Sequence, residues 1–337
     1  MKKILVTGGF GFIGGHLIEL LLKQDDTQVH VVDNLSTSPI PLELLLEELN
    51  HPKNLSYDIC TVVEFCKKQP NYKVDEIYHL ASPVGPAGVL KHAGKMIKEV
   101  IDDVYLLIDM ALNNGAKLVD ISTSEIYGGG RDGYCSETCA KIVPPETTVR
   151  LEYAIAKLAA ETAILNTCKV TDLNASIIRP FNIAGKRQSG VGGFVLPRFV
   201  AQAMTGKPVT VFCEGKQIRA FTNVQDMADG IFLVMTLGAR ARAYNLGNPH
   251  TKVTIKELAE TVLDVVDTKS EIVYVDPKKI YGPLYAEAND KYPDADRAMN
   301  ELKWNPSRSV EMTVRDTYEY MKQLDEKTFA LIAGITK

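Results

Sequence analysis

Short apolar runs alternate with stretches of helical periodicity through the first half of the chain. Lys3-Ile4-Leu5-Val6 has the length and character of a buried strand, and His16 to Lys23 repeats its apolar positions with the period of a helix. Val29-His30-Val31-Val32-Asp33 predicts a second strand, Leu42 to Leu49 a leucine-rich amphipathic helix, and Leu55 to Ile59 a third strand. Val74 to Ala81 reads as the fourth strand, Ala93 to Asn114 as a long helix capped by Gly115, and Lys117 to Ser122 as the fifth strand. Leu151 to Thr167 is helical, and Ala175 to Arg179 is a sixth strand stopped by Pro180. Strands and helices in alternation predict an α/β protein: a Rossmann-type, doubly wound parallel sheet covered on both faces.

Beyond Pro180 the elements become shorter and mixed. Val195 to Met204, Val224 to Thr236 and Ile255 to Val266 predict helices, and Val209 to Phe212 and Ile272 to Val275 predict strands. There is no internal repeat and no low-complexity linker. Residues 1–180 are therefore expected to form a cofactor-binding domain and 181–337 a smaller, mixed α/β substrate-binding lobe, with segments such as 224–246 returning to the first domain. Ligands of open α/β sheets lie beyond the carboxyl ends of the strands, so the cleft between the lobes is the expected site.

The turn between the first strand and first helix sharpens this picture. Gly8, Gly11 and Gly14 are spaced three apart, in the context of strand, turn and helix that binds dinucleotides. Gly8 permits the tight turn, Gly11 lets a pyrophosphate approach the backbone, and Gly14 lets the helix pack on the strand. Phe12 and Ile13 open the helix, whose N-terminal amides face the phosphates. Asp33 ends the second strand, about where a ribose-binding acid falls, roughly 20 residues after the glycines. Followed by Asn34, it accepts bonds from ribose hydroxyls and repels a 2′-phosphate, so NAD is expected over NADP. Asp58 and Ile59, at the end of the third strand, are placed to support an adenine ring.

Composition narrows the partners. The chain has 337 residues, a formal net charge of −4 and no basic block, which argues against nucleic acid. The six cysteines are scattered, and Cys135 and Cys139 have no histidines nearby, so we expect no metal site and free thiols in the reducing cytoplasm. No apolar run is long enough to span a membrane. Met1-Lys2-Lys3 before an apolar run faintly imitates a signal peptide, but the run passes directly into the glycine turn.

Two stretches carry chemistry. Tyr153 and Lys157 stand one helical turn apart on one face, where an ammonium favours the phenolate and makes a usable base. Tyr274 and Lys278 repeat that spacing, but on a strand followed by a proline, and read as structural. Ile121-Ser122-Thr123-Ser124-Glu125-Ile126-Tyr127-Gly128 ends the fifth strand at the same sheet edge, where hydroxyls can bind a substrate hydroxyl that Tyr153 deprotonates.

At this point the chain resembles the extended short-chain dehydrogenase/reductase family that modifies nucleotide sugars. The resemblance spans nearly the whole chain. It rests on Thr7-Gly8-Gly9-x-Gly11-Phe12-Ile13-Gly14, His79-Leu80-Ala81, Ser122-Thr123-Ser124-Glu125-x-Tyr127-Gly128, Tyr153-x-x-x-Lys157 and Arg179-Pro180-Phe181-Asn182. It implies Thr123, Glu125, Tyr153, Lys157 and Lys291 as catalytic residues, with Tyr153 as base and Lys157 also on the cofactor ribose. It adds Leu80, Ala81, Ser82 and Ile183 to the cofactor site. Ser124, Asn182, Arg187, Arg219 and Asp294 form the implied substrate set, Asn182 and Arg219 holding the diphosphate and Asp294 the nucleoside ribose. A homodimer joined through the two long helices is implied as well.

Within the family the chain is most similar to the UDP-glucuronate decarboxylases, which implies a 4-keto intermediate leading to UDP-xylose or to its 4-keto precursor. The Thr-Ser-Glu triplet, Asn245-Leu246-Gly247-Asn248-Pro249, and Tyr281-Gly282 leading to Lys291-Tyr292-Pro293 carry that likeness. The chain departs from the group at Lys291, where an arginine is usual, and at Val100, where the long helix usually has asparagine. A 4-epimerase is the alternative reading. A 4,6-dehydratase follows, although Ser124 stands where those enzymes have an acid. A non-catalytic NAD-binding regulator is the reading from another class, opposed by the intact Thr123, Tyr153 and Lys157.

Overall fold

The computed structural model describes residues 1–128, 134–143, 145–282 and 290–334. The first half runs β1 (Lys2–Thr7), α1 (Phe12–Leu21), β2 (Thr27–Asp33), α2 (Leu42–Glu48), β3 (Leu55–Ile59), α3 (Val62–Lys68), β4 (Glu76–His79), α4 (Pro86–Lys91), α5 (Met96–Asn114) and β5 (Lys117–Ile121). After a 3-10 turn over Ser124–Tyr127 come β6 (Tyr134–Cys135), α6 (Val149–Val170), β7 (Asn174–Pro180) and β8 (Ile183–Ala184). The remainder is α7 (Val195–Met204), β9 (Val209–Phe212), β10 (Ile218–Ala220), β11 (Thr222–Asn223), α8 (Val224–Leu237), β12 (Arg242–Leu246), β13 (Lys252–Thr254), α9 (Ile255–Val266), β14 (Ile272–Val275), α10 (Lys278–Tyr281), β15 (Tyr292–Pro293), α11 (Asp296–Leu302), α12 (Val310–Lys322) and α13 (Glu326–Ala333).

The central sheet has seven strands in the order β12-β7-β5-β4-β1-β2-β3. Every pairing within it is parallel. Strand order reverses between β1 and β4, the switch point at which such sheets open a crevice. One face is covered by α1 and α8, whose Leu17, Ile18, Leu21, Met227, Ile231 and Val234 bury against Val6, Val31 and Val119. The other is covered by α3, α5 and α6, through Phe65, Val104, Leu107, Ile108, Ala156, Ala160 and Ile164. The sixth expected strand is β7, and the seventh, β12, comes from beyond Pro180. The long helix starts at Met96, after Lys95, rather than at Ala93. Six helices were not expected from periodicity: α3, α4, α10, α11, α12 and α13. Of these, α3 carries a local signal, because Thr61 and Glu64 form a reciprocal capping box.

Two glycines have no substitute in this frame. Gly8 has φ +69°, and a Cβ there would stand 2.6 Å from the Ala81 nitrogen; at Gly14 it would stand 2.2 Å from the Gly8 oxygen. These close approaches seat α1 over the end of β1 and bring the β4 loop alongside.

A buried polar chain locks α6 to the sheet. The Arg179 guanidinium on β7 donates to both oxygens of Glu161 on α6, at 3.0 and 2.6 Å, and to the Tyr127 hydroxyl at 2.9 Å. Tyr127 donates onward to Asn245 Oδ1 on β12 at 2.7 Å. Removing one partner of a buried ion pair strands the other charge. Glu161→Ala is therefore expected to lower the free energy of unfolding by about 3–5 kcal/mol. Denaturant unfolding checks this; a loss below about 1 kcal/mol, the value of an exposed pair, would mean that Arg179 is not held by this carboxylate.

Candidate active site

The carboxyl ends of β1, β2, β3, β4, β5 and β7 border one cavity of about 770 Å³. At the β1 end its wall is Gly8, Gly11, Phe12, Ile13 and Gly14. Gly11 caps α1 without a side-chain bond, so the first amides of the helix are left for a ligand. Asp33 lies in the wall with Asn34. Its carboxylate accepts from the Phe10 amide at 2.9 Å and the Leu35 amide at 2.7 Å. Burial pushes its pKa up, and those two bonds oppose the rise. Leu80, Ala81 and Ser82 follow from β4, and Ile183 from β8.

The adenine end differs from expectation. Asp58 and Ile59 are not part of the wall: Asp58 hydrogen-bonds His30 Nε2 at 3.1 Å, and Ile59 is 47% exposed. The wall is made by Cys60, Thr61, Val62 and Val63, which the Thr61 cap turns off the strand end and onto α3. These residues were not singled out in the sequence, where the capping pattern of Thr61 and Glu64 could have marked them.

Around β5 the expected chemistry is brought together. Ser122, Thr123, Ser124, Glu125, Tyr153 and Lys157 all line the cavity. Thr148 caps α6 by accepting from the Leu151 amide at 3.1 Å, which orients the turn carrying Tyr153. The Lys157 ammonium is buried and donates to the Ile121 carbonyl at 2.8 Å. Burial raises the Tyr153 phenol above its ordinary pKa; the hydrogen bond with Thr123 opposes this, and Glu125 and Asp120 add to it. The one bond from Lys157 to Ile121 leaves two of the three ammonium donors for a ligand.

Glu125 is clamped. Its Oε1 receives Lys291 Nζ at 2.5 Å and its Oε2 receives Arg150 Nη1 at 2.9 Å. Burial opposes ionisation, but the two cations outweigh it and hold the carboxyl down at about 2. Lys291 is only 3% exposed and lies beside Arg219 through an isolated bridge between the two backbones. Arg150 was not singled out in the sequence. It stands one turn before Tyr153, a spacing that could have marked it.

The implied substrate residues divide. Ser124, Asn182 and Arg219 line the cavity. Asn182 holds a left-handed φ of 45°, and Arg219 is buried with Nη1 on the Ile218 carbonyl at 2.8 Å. Arg187 does not reach the cavity: Glu48 and Glu19 capture its guanidinium at 2.5 and 2.9 Å, tying its loop to α2 and α1. Asp294 is absent from the wall too, because its carboxylate accepts from the Asp296 amide at 3.1 Å at the start of α11. The apolar end of the cavity, with Phe194, Phe212 and Phe221, was not anticipated. There Arg198 stacks 4.1 Å from the Phe212 ring centre. Of the Tyr281-Gly282 to Lys291 stretch, the Tyr281 side chain and residues 283–289 lie outside the described residues.

Residues 4–247 match the NAD dependent epimerase/dehydratase family. The chain belongs to that family. Among relatives, UDP-N-acetyl-alpha-D-glucosaminuronate decarboxylase of Bacillus cytotoxicus is 28% identical over 330 residues, covering 96% of this chain and 99% of that one. UDP-glucuronic acid decarboxylase 6 of Arabidopsis thaliana is 31% identical over 336 residues, covering 99% and 91%. Among solved structures, UDP-glucose 4-epimerase of Thermotoga maritima with UDP-glucose superposes with a TM-score of 0.82 at 25% identity, covering 95% of this chain and 99% of that one.

The protein is an NAD-dependent nucleotide-sugar enzyme of this family, and its residues fit the cofactor. A Cβ at Gly8 would collide with the Leu80–Ala81 backbone and one at Gly14 with the Gly8–Gly9 backbone, so only glycine shapes this turn; Asp33 offers an acceptor pair, and Ser38 Oγ and Ser122 Oγ are buried in the wall without a hydrogen-bond partner among the described residues. Asp33→Ser should weaken NAD binding about tenfold or more, the loss of hydrogen bonds to a charged group, and should relax exclusion of NADP. Titration of each nucleotide against intrinsic fluorescence measures both. A wild-type protein that binds NADP more tightly than NAD would contradict the role of this acid.

Proposed function

We propose that this enzyme is a UDP-glucuronate decarboxylase that acts through a 4-keto sugar. The observation that carries the reading is the clamp on Glu125. Lys291 and Arg150 together outnumber it in charge beside Tyr153 and Thr123, which leaves a cationic surplus suited to a substrate carboxylate. Relatives named for decarboxylation of two different UDP-uronates support it.

Bound NAD supplies the acceptor for the C4 hydride. Tyr153 accepts the proton of the 4-hydroxyl, with Thr123 bonded to the phenol and fixing its direction, and Lys157 orients the cofactor ribose. Oxidation leaves a ketone beta to the C6 carboxylate. The C5–C6 bond then breaks, its electron pair moves onto the C4 oxygen as an enolate, carbon dioxide leaves, and C5 takes a proton. Held near pKa 2, Glu125 stays a carboxylate, so it orients the sugar and is not the proton donor. Lys291 faces the substrate carboxylate, Arg219 and Asn182 hold the diphosphate, and Ser124 contacts the sugar. The cofactor lobe is residues 1–180 and the substrate lobe 181–337, with α8 and β12 contributing to the first.

The same reading includes a homodimer in a reducing, cytoplasmic compartment. Ile97, Tyr105 and Leu112 on α5 and Ile155 on α6 are 37–53% exposed on two helices that pack side by side, an apolar face fit for a second copy. Cys60, Cys66 and Cys168 are buried free thiols, and no helix among the described residues is long and apolar enough to cross a membrane.

Lys291→Ala is expected to lower carbon dioxide release from C6-labelled UDP-glucuronate about a hundredfold, the cost of losing a buried charge contact, and to leave NAD binding intact. Lys291→Arg should retain much of the rate. A UDP-galacturonate product with no labelled gas would assign the enzyme to the 4-epimerases instead. In light scattering, the dimer predicts twice the 37.1 kDa chain mass; a monomer mass at working concentration would exclude it.

A further inference from the structure

The segment from Asn182 to Phe194 forms one wall of the cavity, to which Gln188, Ser189, Val191 and Gly193 contribute. Its own backbone does little to hold it there. Between β8 and α7 its regular structure is one 3-10 turn, Gly190–Gly192. Asn182, Gly185, Arg187 and Gly193 all have positive φ, at 45°, 146°, 66° and 82°. The support comes from α1, the helix whose first turn faces the cofactor. His16 donates from Nε2 to the Lys186 carbonyl at 3.1 Å. Glu19, three residues further along the same face of α1, takes the Arg187 guanidinium at 2.9 Å.

His16 has one way to make these contacts. It is 1% exposed, and its Nδ1 lies 2.7 Å from Gln225 Nε2 on α8. Burial, with Arg187 adding to it, holds the ring neutral, down at about 3. A neutral imidazole has one donor and one acceptor. A carbonyl can only accept, so the proton sits on Nε2, and Nδ1 accepts from the Gln225 amide. The ring also stands edge-on to Phe12, their centres 6.0 Å apart, and Phe12 lines the cavity at the glycine turn. One imidazole thus touches the cofactor turn, α8 and the wall segment.

The bond to Lys186 falls where the backbone is least content. Arg187 carries a side chain at φ 66°, a conformation that L-residues rarely adopt. Turning over the peptide between Lys186 and Arg187 would relieve it. The carbonyl of that peptide is the one His16 holds. The next two residues are Gln188 and Ser189, so a turned peptide would carry both away from the cavity.

We propose that His16 is a positioning residue for the nucleotide sugar: its bond to the Lys186 carbonyl, backed by the Glu19–Arg187 pair, sets Gln188 and Ser189 against that ligand. The helix that seats the cofactor then seats the substrate wall as well. The inference rests on the proposed function only for the placement of the diphosphate at Asn182, from which this segment starts.

His16→Asn and His16→Gln, compared as NAD-bound enzymes, test the bond apart from the bulk of the ring. A glutamine amide reaches the place of Nε2 and can donate to Lys186; an asparagine amide reaches only the place of Nδ1. We expect His16→Asn to raise KM for UDP-glucuronate about tenfold, the loss of one buried hydrogen bond, with kcat and NAD affinity near wild type. His16→Gln should bring KM back toward wild type. Hydrogen exchange read by mass spectrometry should quicken across 186–193 in His16→Asn and stay slow in His16→Gln. If His16→Asn does not fold, Glu19→Gln carries the test from a side chain that is 26% exposed, with the same quickened exchange and KM raised about threefold, as for a partly exposed pair. An unchanged KM with unchanged exchange, a loss that falls on kcat and NAD affinity instead, or a His16→Gln enzyme as impaired as His16→Asn would overturn the proposal. If wild type turns over no UDP-uronate, the decarboxylase reading fails, and the exchange of 186–193, which needs no substrate, still decides whether His16 holds the wall.

Discussion

The geometry of the cleft depends on one buried ion pair. Glu161 sits two turns beyond Tyr153 on α6, and its bidentate bond to Arg179 fixes both the rotation and the height of that helix against β7. Through Tyr127 the same guanidinium reaches Asn245 on β12, whose amide donates to the carbonyls of Cys135 at 2.7 Å and Asp294 at 3.0 Å. Four parts of the chain that are far apart in sequence therefore meet at one charge: the turn after β5, α6, β7 with β12, and the segment that carries Lys291. An apolar replacement could supply similar packing, but it would not fix a single register among them. Tyr153, Thr123, Glu125 and Lys291 come from three of these parts, and β7 with β12 is the frame that joins them.

The cleft is electrically divided along its length. At the cofactor end an acid, Asp33, is held by two backbone amides. At the substrate end Arg150 and Lys291 clamp Glu125, and Arg219 lines the same wall with Asp290 3.9 Å away. A ligand with hydroxyls at one end and anionic groups at the other is the complement of this field. The clamp also separates roles. A carboxyl held near 2 serves as a fixed acceptor, and acid–base work falls to groups that burial moves toward neutrality.

Arg187 shows how a strong local signal can be redirected. An arginine in the loop after Asn182 invites a phosphate. In the folded chain two carboxylates arrive first, Glu19 from α1 and Glu48 from α2, and Tyr320 of α12 bonds the second of them at 3.0 Å. The guanidinium then holds the loop, and its neighbours Gln188 and Ser189 face the cavity instead.

What the sequence determined by itself was local. The glycine turn is legible because only glycine fits φ +69° at Gly8 and an oxygen 2.2 Å from a Cβ at Gly14. Tyr153 and Lys157 are legible because one helical turn fixes their common face, and β1 to β5 and β7 because strands of a buried parallel sheet read as short runs between helical stretches. Tertiary structure decided everything that depends on which distant residues meet. Arg242–Leu246 gives no hint in its own letters that it closes the sheet beside β7. Asp294 and Asp58 point away from the cavity because nearer partners satisfy them, the Asp296 amide and His30. Lys291 finds Glu125 across 166 residues, and Asp120 becomes a buried acid only because β4, β7 and α6 close over β5. Hydrogen bonds and charges act over a few ångströms of space, so separation along the chain carries almost no information about them until the core has packed.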